Sequence, residues 1–109
     1  MNNFEVPSRV ADLVVQAEAI IEALEARQPG ARWAMTAFSR YRALQLLGVP
    51  YVPCDGELDA DPGELFDKAA SEVDQLDVPV DQLSWRLALA DALRSAATEI
   101  RMVQDAHDV

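Results

Sequence analysis

Hydrophobic positions along this chain recur at steps of three and four. Val10, Val14, Ala17, Ile21 and Leu24 alternate the two steps, with Leu13 and Ile20 widening the stripe, which is the spacing of one helix face. The pattern predicts a first helix from Ser8, a suitable N-cap, to about Arg27, where Gln28-Pro29-Gly30 stops it. A second helix is expected to begin near Pro29 to Ala31 and end at Leu47, with Gly48 in the C′ position. Its main stripe reads Ala34, Ala37, Phe38, Tyr41 and Leu44, while Trp33, Met35, Leu46 and Leu47 fall outside that arc. A helix that is apolar on more than one side is either central in its bundle or covered by a partner.

The third helix carries the clearest start signal. Asp61-Pro62-Gly63-Glu64 puts Asp at the N-cap, Pro at N1 and Glu at N3, a carboxylate form of the capping box. Leu65, Phe66, Ala69, Ala70, Val73 and Leu76 then make one face, and Glu64, Asp67, Lys68, Ser71, Glu72, Asp74 and Gln75 the other. For the fourth helix, Asp81 is the expected cap, with Val80 and Trp85 as a hydrophobic staple. Leu89, Leu93, Ala96, Ile100 and Val103 form its first row, Leu83, Leu87, Ala90 and Ala97 a second, and it extends to about Ala106. Val-Pro pairs mark extended joints, since the residue before Pro is pushed out of the α region; two of them fall in the long connection between Gly48 and Ala60. No alternating run is long enough for a core strand. The expected fold is therefore all-α, a four-helix bundle built from two αα-hairpins with a long C-terminal helix.

Composition narrows the picture. With 109 residues, half of them hydrophobic and 26% charged, the chain suits one globular domain spanning 1–109. Nineteen acids against nine basic side chains give a net charge of −10, which opposes direct binding to nucleic acid or anionic lipid. No apolar run is long enough to span a membrane. The opening residues lack the basic and apolar regions of a signal peptide, and the lone Cys54 has no internal disulfide partner, so the cytoplasm is the expected compartment.

Charge is also segregated. Residues 27–54 carry Arg27, Arg32, Arg40 and Arg42 with no acid, whereas residues 55–81 carry ten acids and Lys68 alone. Either the two segments neutralise each other, or the acidic face of helix 3, with Glu64, Asp67, Glu72 and Asp74, meets a basic partner. Arg94 and Arg101 on helix 4 are expected to pair locally with Asp91 and Asp105.

Candidate chemistry is sparse. Asp55, Glu57, Asp59 and Asp61 alternate as in a calcium loop, but the sixth position counted from Asp55 is Ala60 and the twelfth is Phe66, where Gly and a bidentate Glu are needed. Cys54 has no base nearby in sequence to activate it, and the single histidine, His107, is the third residue from the end of the sequence shown. Glu18, Glu22 and Glu25, at i, i+4 and i+7, together with Asp74 and Asp77 could converge on magnesium. That acid spacing loosely resembles the all-α nucleotide pyrophosphohydrolases, although the paired glutamates and following Gly-Asp of that family are absent here.

These features favour a non-enzymatic protein–protein interaction module without cofactor, of which an inhibitor or immunity-type protein is a narrower form. Its expected partners are a second copy of itself, as a homodimer, and a basic protein. The candidate contact residues are Trp33, Met35, Leu46 and Leu47 on helix 2 and Glu64, Asp67, Glu72 and Asp74 on helix 3. The alternative is a magnesium-dependent nucleotide hydrolase.

Overall fold

A computed structural model of the chain describes residues 8–27, 32–48 and 60–107. Four α-helices run in the order α1 (Ser8–Arg27), α2 (Ala37–Leu47), α3 (Pro62–Asp74) and α4 (Leu83–His107). Short 3-10 turns, Arg32–Thr36 and Val80–Gln82, lead into α2 and α4. No strand occurs among the described residues. The expected all-α bundle with a long last helix is what the chain forms.

The stripes of α1, α3 and α4 build the core as their periodicity requires. Val10, Val14, Ala17 and Ile21 of α1 are buried against Phe66, Ala69, Ala70 and Val73 of α3 and Leu89, Leu93, Ala96 and Ile100 of α4 in one continuous cluster. α3 packs most extensively on α4, α1 covers α3, and α2 with its preceding turn covers α4. Polar bonds set the directions. Arg94 with Asp74 and Arg101 with Asp67 run α3 antiparallel to α4. Ser39 Oγ donating to Glu99 at 2.9 Å, and Trp85 Nε1 donating to the Leu46 carbonyl at 2.7 Å, do the same for α2 and α4. Arg9 at the start of α1 meets Glu72 near the end of α3 at 2.7 Å. The α3–α4 hairpin is closely packed, whereas α1 and α2 have little direct backbone proximity.

Two helix ends follow their sequence signals. Asp61 is extended and its carboxylate accepts from the Gly63 N–H at 3.0 Å, with Pro62 opening the helix. Gly48 adopts φ +70° and donates its N–H to the Leu44 and Gln45 carbonyls, a left-handed cap that a side chain would strain.

Other expectations are corrected. α2 begins at Ala37, and the 3-10 turn before it, at three residues per turn, shifts the phase of the pattern read through residues 32–36. The helix is consequently turned round: Phe38 and Tyr41 of the expected stripe are exposed, while Trp33 and Leu47, assigned outside it, join the core with Thr36, Ser39, Arg40 and Ala43. At the start of α4, Asp81 makes no side-chain cap and Val80 is exposed, so the staple does not form. Leu83 and Leu87 of the second row also face solvent, since no described helix reaches over them. The start expected at Pro29 to Ala31 and the Val-Pro joints between Gly48 and Ala60 lie outside the described residues, as do Cys54 and the acidic loop from Asp55 to Asp59.

Candidate interaction cleft between α1 and α2

Where α1 and α2 fail to close on each other, a cleft of about 220 Å³ remains, lined by Glu18, Glu22, Glu25, Arg40, Tyr41 and Leu44. Its walls follow from helix geometry. Glu18, Glu22 and Glu25 sit at i, i+4 and i+7 and so rise along one flank of α1, beside the buried stripe. Arg40, Tyr41 and Leu44 form the facing side of α2.

The floor is a buried ion pair. Arg40 Nη1 donates to Glu18 Oε2 at 2.8 Å and Nη2 to Glu25 Oε1 at 3.3 Å. Arg40 Nε donates to Thr36 Oγ1 at 2.8 Å, and the Thr36 hydroxyl in turn donates to the Trp33 carbonyl at 2.8 Å. One guanidinium thus ties α1 to α2 and anchors the 3-10 turn to the helix that follows it, substituting polar bonds for the missing apolar contact. A buried charge is tolerable only when paired and hydrogen-bonded, and Arg40 has carboxylate or hydroxyl partners on all three of its nitrogens. Glu18 is less well served. It is 6% exposed, and its Oε1 finds no donor among the described residues. Burial pushes its carboxyl above the ordinary glutamate range, with the Arg40 charge opposing the shift.

At the mouth, the Arg40 guanidinium lies 5.6 Å from the Tyr41 ring centroid, within cation–π range. Tyr41 is nonetheless 61% exposed, and Phe38, one turn earlier, is 79% exposed. With Met35 at 65%, these side chains make an exposed row along the outer side of the turn and α2 among the described residues. A second exposed apolar row, Val80, Leu83 and Leu87, lies at the start of α4.

Of the expected contact residues on helix 2, Met35 alone is exposed; Trp33 at 4% and Leu47 are in the core, and Leu46 is half-buried against it. On α3, Asp67, Asp74 and Glu72 are engaged by Arg101, Arg94 and Arg9, while Glu64 is exposed in the first turn. Hydrogen bonds to Asp74 and Asp67 push the Arg94 and Arg101 pKa values further up. The acidic face therefore has three arginines for counter-charge, where sequence spacing offered Lys68 alone. The reason is tertiary: α3 and α4 lie antiparallel, so Arg94 and Arg101 reach across to α3 in place of Asp91 and Asp105 on their own helix. Asp91 instead faces Arg42 at 3.8 Å. No ion pair joins residues 27–54 to residues 55–81 among those described, because Arg40 and Arg42 turn to α1 and α4.

The carboxylate set considered for magnesium is not assembled. Asp74 is bonded to Arg94, Asp77 is exposed in the α3–α4 connection, and the Arg40 guanidinium occupies the place between Glu18 and Glu25 that a shared cation would need. Among the described residues, no group of three or more histidines, cysteines or acids is arranged to hold a metal ion. No described helix is long and apolar enough to cross a membrane. Comparison with protein families, curated proteins and solved structures finds no match to this chain.

The sequence pattern marked Glu18, Glu22 and Glu25 as a group and marked the arginine segment as acid-free, but it did not connect them. The signal that could have done so is chemical: an arginine inside an otherwise helical, acid-free stretch needs a carboxylate from elsewhere if it is buried.

Proposed function

We propose that this chain is a non-enzymatic protein–protein interaction module whose receiving surface is the outer side of α2 and the acidic flank of α1. The observation that carries this reading is the row Met35, Phe38 and Tyr41, exposed among the described residues and bordering a flank that carries Glu22 and Glu25. Adjacent large apolar side chains on a monomer's surface mark contact sites, and the neighbouring carboxylates favour a partner segment that is both apolar and basic. The acidic contact is thereby assigned to α1 because its flank borders the exposed apolar row; Glu25 there bonds Arg40, just as Asp67, Glu72 and Asp74 on α3 bond arginines. Isothermal calorimetry with an amphipathic basic peptide tests it: binding that survives Phe38→Ser and Tyr41→Ser together would reject this face.

The exposed row Val80, Leu83 and Leu87 favours a second reading, homodimerisation through the start of α4. Burial of apolar area stabilises by about 25 cal/mol per Å², and in a dimer each copy would cover the other's row. Sedimentation velocity over a concentration series distinguishes the two readings. A species that stays monomeric, or a dimer indifferent to Leu87→Ser, would reject self-association there. A lone cysteine and a large acidic excess suit the cytoplasm as the compartment of such a module.

A further inference from the structure

We infer that Glu18 and Glu99 are positioning residues for the contact face of α2: their bonds to Arg40 and Ser39 hold the helix at the rotation that presents Phe38 and Tyr41 outward, against the preference of its own hydrophobic pattern. The inference rests on the interaction reading above and assigns what keeps that face open. Two stripes on α2 and its leading turn compete for the interior. One holds Thr36, Ser39, Arg40, Ala43 and Leu47 and is buried; the other holds Ala37, Phe38, Tyr41 and Leu44, of which Phe38 and Tyr41 are exposed. At 100° per residue the centres of the two stripes lie roughly 140° apart.

Apolar burial alone favours the second stripe. Turning it inward would cover two aromatic rings, each burying roughly 150–250 Å², in exchange for Leu47 and Ala43. Polar bonds hold the observed rotation instead. Arg40 Nη1 donates to Glu18 at 2.8 Å and Ser39 Oγ to Glu99 at 2.9 Å, and both carboxylates reach α2 from other helices. The exposed Glu25 adds a longer tie to Arg40 at 3.3 Å, while the Arg40–Thr36 bond lies within the same segment and turns with it. Room for the other rotation exists. Tyr41 and Leu44 already line the α1–α2 cleft, whose volume of about 220 Å³ exceeds the roughly 150 Å³ that encloses a benzene ring in an apolar protein interior. Without Glu18 the buried guanidinium is left largely uncompensated, and the turn that carries Arg40 to solvent is the one that carries Tyr41 inward.

The test uses the full chain as wild type, Glu18→Leu, Glu18→Leu/Arg40→Met and Glu99→Ala. Accessibility of the Phe38 and Tyr41 ring protons is read by NMR with a soluble paramagnetic agent, and affinity by calorimetry with a capped amphipathic peptide carrying leucine on one helical face and lysine on the other. Glu18→Leu strands the Arg40 charge, so both rings should become protected and the peptide should bind about tenfold more weakly. Adding Arg40→Met removes that charge and leaves the inward stripe more apolar, so the rings should return to solvent and the affinity to within about threefold of wild type. Glu99→Ala should protect the rings in part, and it decides the matter if Glu18→Leu does not fold. Local unfolding is told apart by its sign, because it raises ring accessibility. Rings equally accessible in wild type, Glu18→Leu and Glu99→Ala, or a double variant whose rings stay protected, would overturn the positioning role. Failure of the wild-type chain to bind the peptide would reject the interaction reading itself, while the ring accessibilities would still decide the rotation.

Discussion

Arg40 is the residue that ties α1 to α2. It is buried on a short helix and joins Thr36, Glu18 and Glu25, so removing it strands the Glu18 carboxylate in the interior. Arg40→Met should cost about 3–5 kcal/mol, and Glu18→Leu/Arg40→Met less than Arg40→Met alone, because an apolar pair leaves no uncompensated charge. Urea denaturation of the two single variants and the double variant measures this; strictly additive losses would mean that the pair is not coupled. Glu18 also gives the fold a pH signature. Its folded pKa is raised above the ordinary value of 4.5, so the folded state favours its protonated form. That contribution is fully present below the unfolded value and is lost as pH rises through the higher folded value. Glu18→Gln removes the loss, so the stability of the variant minus that of wild type should increase from about pH 4 to about pH 7. Taking the difference across pH cancels any constant cost of the substitution, and a difference that stays flat would place the Glu18 carboxyl at its ordinary value.

At the scale of elements, the helix termini were legible and the rotation of α2 was not. Asp61 and Gly48 act through the backbone within a few positions, so local sequence is enough to identify them. Asp61→Ala should lower stability by about 1 kcal/mol through loss of the cap, and Gly48→Ala by about 1–2 kcal/mol through its positive φ alone, since no atom of the described residues crowds that position. Thermal midpoints check both, and an unchanged midpoint for either would show that its helix ends elsewhere. For α2, hydrophobic periodicity pointed Phe38 inward, and three polar residues, Thr36, Ser39 and Arg40, took that place. Their partners lie far along the chain: Glu18 is 22 positions from Arg40, and Glu99 is 60 from Ser39. Phe38→Ala should therefore change stability by no more than about 0.5 kcal/mol, whereas Leu47→Ala should cost about 2–5 kcal/mol. The reverse order in denaturant titrations would restore the stripe read from the sequence.

Over the whole molecule, the net charge of −10 gives the two proposed contacts opposite responses to salt. Copies of the chain repel one another, so homodimerisation through α4 should strengthen as added salt screens that repulsion. Binding of a basic segment at α1 and α2 should weaken over the same range. Sedimentation and calorimetry at low and physiological ionic strength read the two slopes, and slopes of the same sign would remove charge from one of the contacts. By itself, the sequence determined the helical class, the buried stripes of α1, α3 and α4, and the ends at Asp61 and Gly48, because these depend on period and on backbone geometry within one turn. Only the tertiary structure decided which way α2 faces, which arginines neutralise α3, and that α1 and α2 meet across Arg40 with a cleft beside it. Those outcomes depend on side chains tens of residues apart being brought within hydrogen-bond distance, and a buried arginine reads as a surface residue until its carboxylate is in place.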